Sequence, residues 1–153
     1  PWREVSGAAD LVSVAGVLRG TGRVEADFST AIGSALLRGA AEMAGQSECW
    51  RQVIDVSGDG KSNTGPTPGP VSEGMGEVTV NGLIIGEAVP TAGEGRSPGI
   101  GELVAYYRAY VLHGPDAFTE TANGFEDFEA AMVRKLLREL EIVAVSEALP
   151  AGR

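Results

Sequence analysis

Apolar residues recur at intervals of three and four along much of the chain, a spacing that predicts amphipathic helices. Ser6 is the predicted N-cap of the first helix. Asn123 is the predicted N-cap of the last, with Glu126 three residues on as in a capping box. The predicted helices cover residues 7–19, 30–44, 102–112 and a long segment after Asn123.

Each predicted helix has one apolar face that should pack against a core. The residues expected on these faces are Leu11, Val12, Ala15 and Leu18 in the first helix, Ile32, Leu36, Ala40 and Met43 in the second, and Phe125, Phe128, Met132, Leu136 and Leu140 in the last.

Short β-branched runs between the helices predict strands. Residues 52–57 and 78–85 are apolar enough to be covered on both faces, as in parallel sheets, and residues 117–121 form a weaker third strand. The segments 20–29, 61–70 and 86–100 are predicted loops, and a short helix is expected over 71–76. Strands that alternate with helices predict an α/β fold: a three-layer, doubly wound, mostly parallel sheet.

The charge balance of the chain argues against some classes of binding partner. The 153 residues include 21 acidic and 12 basic side chains, for a formal charge of −9. This balance argues against nucleic acid and anionic membranes, which require clustered Lys and Arg. No apolar run approaches the roughly 20 residues of a membrane span. The single cysteine, Cys49, is expected to be a reduced, half-buried thiol.

Ligands of parallel sheets bind beyond the carboxyl ends of the strands, so functional residues are expected just after Val56 and Ile85. The segment Ser57-Gly58-Asp59-Gly60 follows the first strand, and Ser29-Thr30-Ala31-Ile32-Gly33 opens the preceding helix. A hydroxyl and a carboxylate at these places can converge on a hard cation such as Mg²⁺. The residues alone favour a simpler interpretation, in which Thr30 or Ser29 caps a helix and Asp59 starts a turn.

Longer motifs carry a resemblance to a known family. The sequence STAIGSAL is followed about two dozen residues later by VIDVSGDG, which resembles the von Willebrand factor A-type domain. CWRQVIDVSGDG, NGLII, YYRAYVLHGPDAF and FEDFEAAMVRKLLREL, in that order, are similar to an uncharacterised bacterial branch of that superfamily. The resemblance implies a Rossmann-like fold, with a partial domain over residues 1–141 and a C-terminal tail over residues 142–153.

The resemblance also implies a metal-ion-dependent adhesion site. Thr30 and Asp59 would be ligands of Mg²⁺ or another divalent cation, and an acidic side chain of a protein partner would fill an open coordination position. The residues that would flank these ligands are Ser29, Ser57, Gly58 and Gly60.

This sequence departs from the family pattern at one point. The family's first motif, Asp-x-Ser-x-Ser, does not occur here, and the resemblance places it upstream of Pro1. The chain is therefore expected to be a fragment that binds a divalent cation weakly or not at all. The strand that should neighbour residues 52–57 would also lie upstream, which predicts self-association through the open edge.

Two other functions stay open. A metal-dependent phosphatase or hydrolase would use Asp55 and Asp59 as carboxylates with His113, the only histidine, in support. It requires His113 within hydrogen-bond reach of those carboxylates or of a water they hold. A scaffold subunit with a decayed metal site would assemble through its edge strand. The resemblance leaves both an exported, periplasmic location and a cytoplasmic one open.

Overall fold

A computed structural model describes residues 2–22, 29–46, 48–87 and 98–148, with side chains as far as Glu141. The predictions that concern Pro1, most of the 20–29 and 86–100 loops and the end of the tail lie outside these residues. The helices are α1 (Ala8–Gly20), α2 (Ile32–Met43), α3 (Pro68–Glu73), α4 (Ile100–Tyr110) and α5 (Phe128–Ala148), and the strands are β1 (Val53–Gly58), β2 (Thr79–Gly86) and β3 (Thr119–Asn123).

The three strands form one parallel sheet in the order β1-β2-β3. Strand β2 lies in the centre and is buried from Thr79 to Ile85. This explains its continuous apolar character, because a central strand of a parallel sheet is covered on both faces. Asp55 of β1 pairs in register with Asn81 of β2, so their side chains emerge on the same face of the sheet.

Helices cover the two faces unequally. Helices α2, α3 and α4 share one face, where Leu36, Val80, Leu103 and Tyr107 are completely buried in the larger core. Helix α5 packs on the other face against a smaller cluster around Leu83. The result is a three-layer α/β arrangement of the Rossmann-like kind, as the strand and helix pattern predicts.

Helix α1 differs from its prediction. None of its residues is buried, and Leu11, Val12 and Leu18 are 59%, 70% and 68% exposed. The predicted N-cap, Ser6, was wrong: Gly7 holds that position, and the Asp10 carboxylate accepts hydrogen bonds from the Ser6 and Gly7 amides. The apolar face exists, but among the described residues no other element buries it.

The buried face of α5 differs from the predicted apolar face, both in its register along the helix and in the residues that form it. Phe128 and Met132 pack toward the sheet, but the next position on that face is the completely buried Lys135. Leu136 and Leu140 are 46% and 64% exposed. The helix follows a short 3-10 turn, and its backbone continues to Ala148, through the first part of the predicted tail.

The predicted start of the last helix was also wrong in detail. Gly124, with a φ of 76°, precedes the turn at Phe125–Asp127. The Asn123 amide donates to the Asp127 carboxylate at 3.1 Å, so Asp127 reaches back where Glu126 was expected to do so. Phe125 is 68% exposed, although it was predicted to face the core.

Strand β1 was expected to be covered on both faces, and this was wrong. Ile54 and Val56 pack on the larger core, but Asp55 and Ser57 on the opposite face are exposed. Helix α5 lies over β2 and β3 and leaves this half of the face open. Cys49, just before the strand, is exposed and not half-buried.

Candidate cation site at the carboxyl edge of the sheet

The loop that follows β1 folds back over the segment leading into α2. The Thr30 amide donates to the Asn63 side-chain oxygen at 2.8 Å, and the Asn63 amide donates to the Thr30 carbonyl at 2.9 Å. The Ser62 hydroxyl donates to the same carbonyl at 3.2 Å. These bonds hold Thr30 at the carboxyl edge of β1, the edge at which Asp59 lies.

Thr30 precedes α2 but does not cap it. The N-cap is Ala31, which has no side-chain cap, and the Ile32 amide donates to the Ser62 hydroxyl at 3.2 Å instead. Ser62 therefore satisfies a donor that an N-cap side chain ordinarily satisfies. Within the described ranges, no residue hydrogen-bonds to the Thr30 hydroxyl, so the simpler interpretation of Thr30 as a capping residue was wrong.

Close packing explains Gly33, the glycine of the segment that opens α2. A Cβ atom on Gly33 would collide with the Pro66 carbonyl, so only glycine lets the loop rest on the first turn of α2. A Cβ atom on Gly60 would lie 3.5 Å from the Thr30 hydroxyl oxygen. The Thr30 hydroxyl therefore lies near the residue directly after Asp59.

Helix α4 braces the loop from the other side. The Ser62 amide donates to the Tyr106 hydroxyl at 3.3 Å. The Lys61 ammonium and the Glu102 carboxylate form an ion pair at 2.6 Å, with both side chains about half exposed. Residues 61–63 are therefore held between α2 and α4, which leaves the Asp59 side chain exposed at the tip of the strand.

Tyr107 occupies a slot made by two glycines. A Cβ atom on Gly82 would lie 3.0 Å from the Tyr107 ring, and one on Gly58 would lie 2.5 Å from its hydroxyl oxygen. The hydroxyl is buried and has no hydrogen-bond partner among the described residues. Burial, with a contribution from the negative charge of Asp59, raises the pKa of Tyr107 to about 12.

The oxygen atoms at this edge are of the kind that hard cations bind. The Thr30 hydroxyl and the Asp59 carboxylate offer oxygen ligands, and Mg²⁺ commonly binds through one or two carboxylates and keeps several waters. The described part of the chain contains no group of three or more His, Cys, Asp or Glu side chains placed to hold a metal. The unpartnered Tyr107 hydroxyl beneath Gly58 is a further polar atom that a bound group could satisfy.

The residues of the alternative hydrolase site are not brought together. Asp55 lies mid-strand and pairs with Lys135 on the α5 side of the sheet. His113 bridges Val80 near the start of β2, and its Nε2 lies 2.9 Å from the Gly76 carbonyl oxygen. Asp59 follows the opposite end of the strands, roughly 15 Å away along the strand direction. The geometry does not supply the hydrogen bond that this mechanism requires.

A charge cluster around the buried Lys135, which the sequence interpretation missed, ties α5 to the sheet. The Lys135 ammonium contacts the Asp55 carboxylate and donates to Glu139 at 2.6 Å, and the Asn81 amide donates to Glu139 at 2.8 Å. Burial, and the nearby Asp55 carboxylate, raise the pKa of Glu139 despite the opposing effect of Lys135. The sequence contained a signal for this cluster: a lysine on the apolar face of a helix and an aspartate inside a β-branched run.

These features define an α/β domain with a candidate cation site at the carboxyl edge of a parallel sheet. The chain belongs to the family described as "Protein of unknown function (DUF1194)", whose match covers residues 1–144. Comparison with curated proteins and with solved structures found no match. No helix in the described ranges combines the length and apolar character needed to cross a lipid bilayer.

Proposed function

We propose that this chain is a protein-binding module of the von Willebrand factor A type, in which a divalent cation assists recognition of the partner. Thr30 and Asp59 would supply protein ligands of a partial metal-ion-dependent adhesion site, flanked by Ser29, Ser57, Gly58 and Gly60. Mg²⁺ is the preferred cation because the available ligands are a hydroxyl and a carboxylate.

One observation carries the proposal: the Thr30 hydroxyl, which has no hydrogen-bond partner among the described residues, lies near the residue that follows Asp59. The Thr30 backbone is hydrogen-bonded to Ser62 and Asn63, so the loop that follows Asp59 also positions Thr30. A threonine that only began the helix would use its hydroxyl for the cap, and here Ser62 provides that bond.

The proposed partner presents a carboxylate. The chain has a formal charge of −9, so an acidic partner would be repelled by the protein surface alone. A bound divalent cation would be the largest local charge and would reverse the sign of the potential at the site. The cation would thus make recognition of an acidic side chain conditional on metal.

The first prediction concerns Asp59. In calorimetric titrations with Mg²⁺ and Mn²⁺, Asp59→Asn should lower the affinity of the chain at least about tenfold, because it removes the carboxylate ligand. Glu77→Gln is the matched control: Glu77 is exposed and precedes β2, at the opposite edge of the sheet. It makes the same change in charge and shape away from the site, so its affinity should equal that of the wild type.

Equal heats from the wild type and Asp59→Asn would remove Asp59 from the ligands and contradict the proposal. A loss of affinity in Glu77→Gln as large as that in Asp59→Asn would show that overall charge, and not a site, holds the cation.

The open edge of the sheet favours a second candidate function, that of a scaffold or assembly subunit. Among the described residues, β1 pairs only with β2, and a groove of about 300 Å³ beside it is lined by Trp50, Arg51, Val53, Asp55 and Glu139. Unpaired strand edges are templates for pairing with another chain. Under this alternative the cation site has decayed, and Asp59→Asn leaves assembly unchanged.

A further inference from the structure

The Tyr107 side chain combines complete burial with an unsatisfied hydroxyl. The residue is 0% exposed, and its hydroxyl oxygen is the only buried side-chain nitrogen or oxygen atom among the described residues that has no hydrogen-bond partner. Leaving a buried polar group unpaired destabilises the folded state. A phenylalanine would fill the same slot without that cost, so the hydroxyl itself requires a physical explanation.

The surrounding backbone makes room for this hydroxyl at one particular place. Gly82 on the central strand accommodates the ring, and Gly58, the last residue of β1, accommodates the oxygen. A side chain at Gly58 would displace the hydroxyl from the end of the strand. Both glycines therefore direct Tyr107 to the point at which Asp59 begins the loop.

The adjacent tyrosine has a different role. The Tyr106 hydroxyl accepts a hydrogen bond from the Ser62 amide and so helps to fix the loop. The two consecutive tyrosines of α4 both reach the end of β1 and the loop after it, but among the described residues only the Tyr106 hydroxyl has a hydrogen-bond partner. At neutral pH the Tyr107 hydroxyl carries its proton and can donate a hydrogen bond.

We propose that Tyr107 is a positioning residue of the cation site: when the cation is bound, its hydroxyl donates a hydrogen bond to the Asp59 carboxylate or to a water that this carboxylate holds. The inference rests on the proposed function, since it assigns Tyr107 to the same site. Hydrogen bonds of this kind orient the ligands of a metal, and their loss typically weakens metal affinity by about 10- to 100-fold.

The test separates this role from a purely structural one by measuring two quantities in Tyr107→Phe. Mn²⁺ affinity, measured by calorimetric titration, should fall at least about tenfold. The metal-free stability, measured by urea unfolding, should stay the same or rise, because the change removes an unpaired buried hydroxyl. The control is Tyr110→Phe, which deletes the same group from a side chain that is 49% exposed on the same helix, and which should change neither quantity.

Each result decides a different claim. If the wild type binds Mn²⁺ and Asp59→Asn does not, but Tyr107→Phe binds like the wild type, the assignment of Tyr107 is wrong and the cation site stands. If Tyr107→Phe loses stability together with affinity, its role is structural and the inference is overturned. If the wild type shows no binding, or binds no better than Asp59→Asn, the cation site and the role of Tyr107 both fail.

Discussion

Lys135 is charged but occupies a buried position of α5, where an apolar residue is expected. Its side chain is 0% exposed and contacts the Asp55 and Glu139 carboxylates. A buried charge persists only when it is paired and hydrogen-bonded, and these two carboxylates meet that condition. Because Asp55 is on β1 and Lys135 is on α5, the cluster also holds the edge strand to the helix layer.

Removing the lysine should therefore destabilise the fold strongly. Lys135→Ala leaves the Asp55 and Glu139 carboxylates close together without their counter-ion. Asp55 is 39% exposed, so solvent screens it and the cost should be below the roughly 3–5 kcal/mol of a fully buried pair. Urea unfolding followed by circular dichroism measures the difference. Arg134→Ala is the control on the neighbouring position: Arg134 pairs with Glu120 and Asp127 at the surface, where ion pairs contribute little. Similar losses in both variants would show that burial of the Lys135 cluster is not the source of its stability.

Thr30 and Lys135 show which side-chain positions could be predicted from the sequence and which could not. Thr30 follows from local order, because a hydroxyl before a helix and a carboxylate after a strand meet at one edge of any parallel sheet. Lys135 could not be placed, since its partner Asp55 lies 80 positions away and only the tertiary fold brings them together. Tyr107 lies in the larger core, but the position of its hydroxyl depends on the glycines at 58 and 82, which are distant from it in the sequence.

At the level of elements, prediction succeeded where one local pattern determined the result. Strand β2 and helix α2 lie within two residues of their predicted bounds, because a β-branched run and a regular apolar stripe each specify one structure. The apolar faces of α1 and α5 failed for another reason. Periodicity shows that a face needs a partner, but it does not show which element provides one.

The junction between α2 and the loop after β1 offers a test at this scale. Gly33→Ala places a methyl group against the Pro66 carbonyl, and overpacking of this kind typically costs about 1–3 kcal/mol. The displaced loop should also weaken Mn²⁺ binding, because the same loop holds Thr30. Thermal unfolding and calorimetric titration measure the two effects.

The chain contains a matched control for this change. Gly16→Ala in α1 meets no atom within 4 Å, so the substitution introduces no clash. It should be neutral or stabilise by up to about 1 kcal/mol, because alanine is the better helix former. Equal effects of Gly16→Ala and Gly33→Ala would mean that contact with Pro66 does not constrain the helix.

The molecule as a whole is acidic and leaves one strand edge and two helix faces without partners among the described residues. The Gln52 carbonyl accepts from the Thr79 amide at 2.9 Å, which fixes the direction of the backbone groups in β1. Backbone groups of a parallel strand alternate in direction, so the amides and carbonyls of Val53, Asp55 and Ser57 point away from β2. These are the groups that an added strand would use.

Self-association through this edge is the prediction at the scale of the molecule. Light scattering should show dimers or larger species of the wild type that increase with protein concentration. Val53→Pro removes an outward-pointing amide without breaking the β1–β2 ladder, so it should shift the population toward monomer. Leu137→Glu alters the exposed face of α5, where Leu137 is 55% exposed, and should leave association through β1 unchanged. A wild type that stays monomeric at high concentration would contradict the prediction, and dissociation by Leu137→Glu alone would assign the contact to α5.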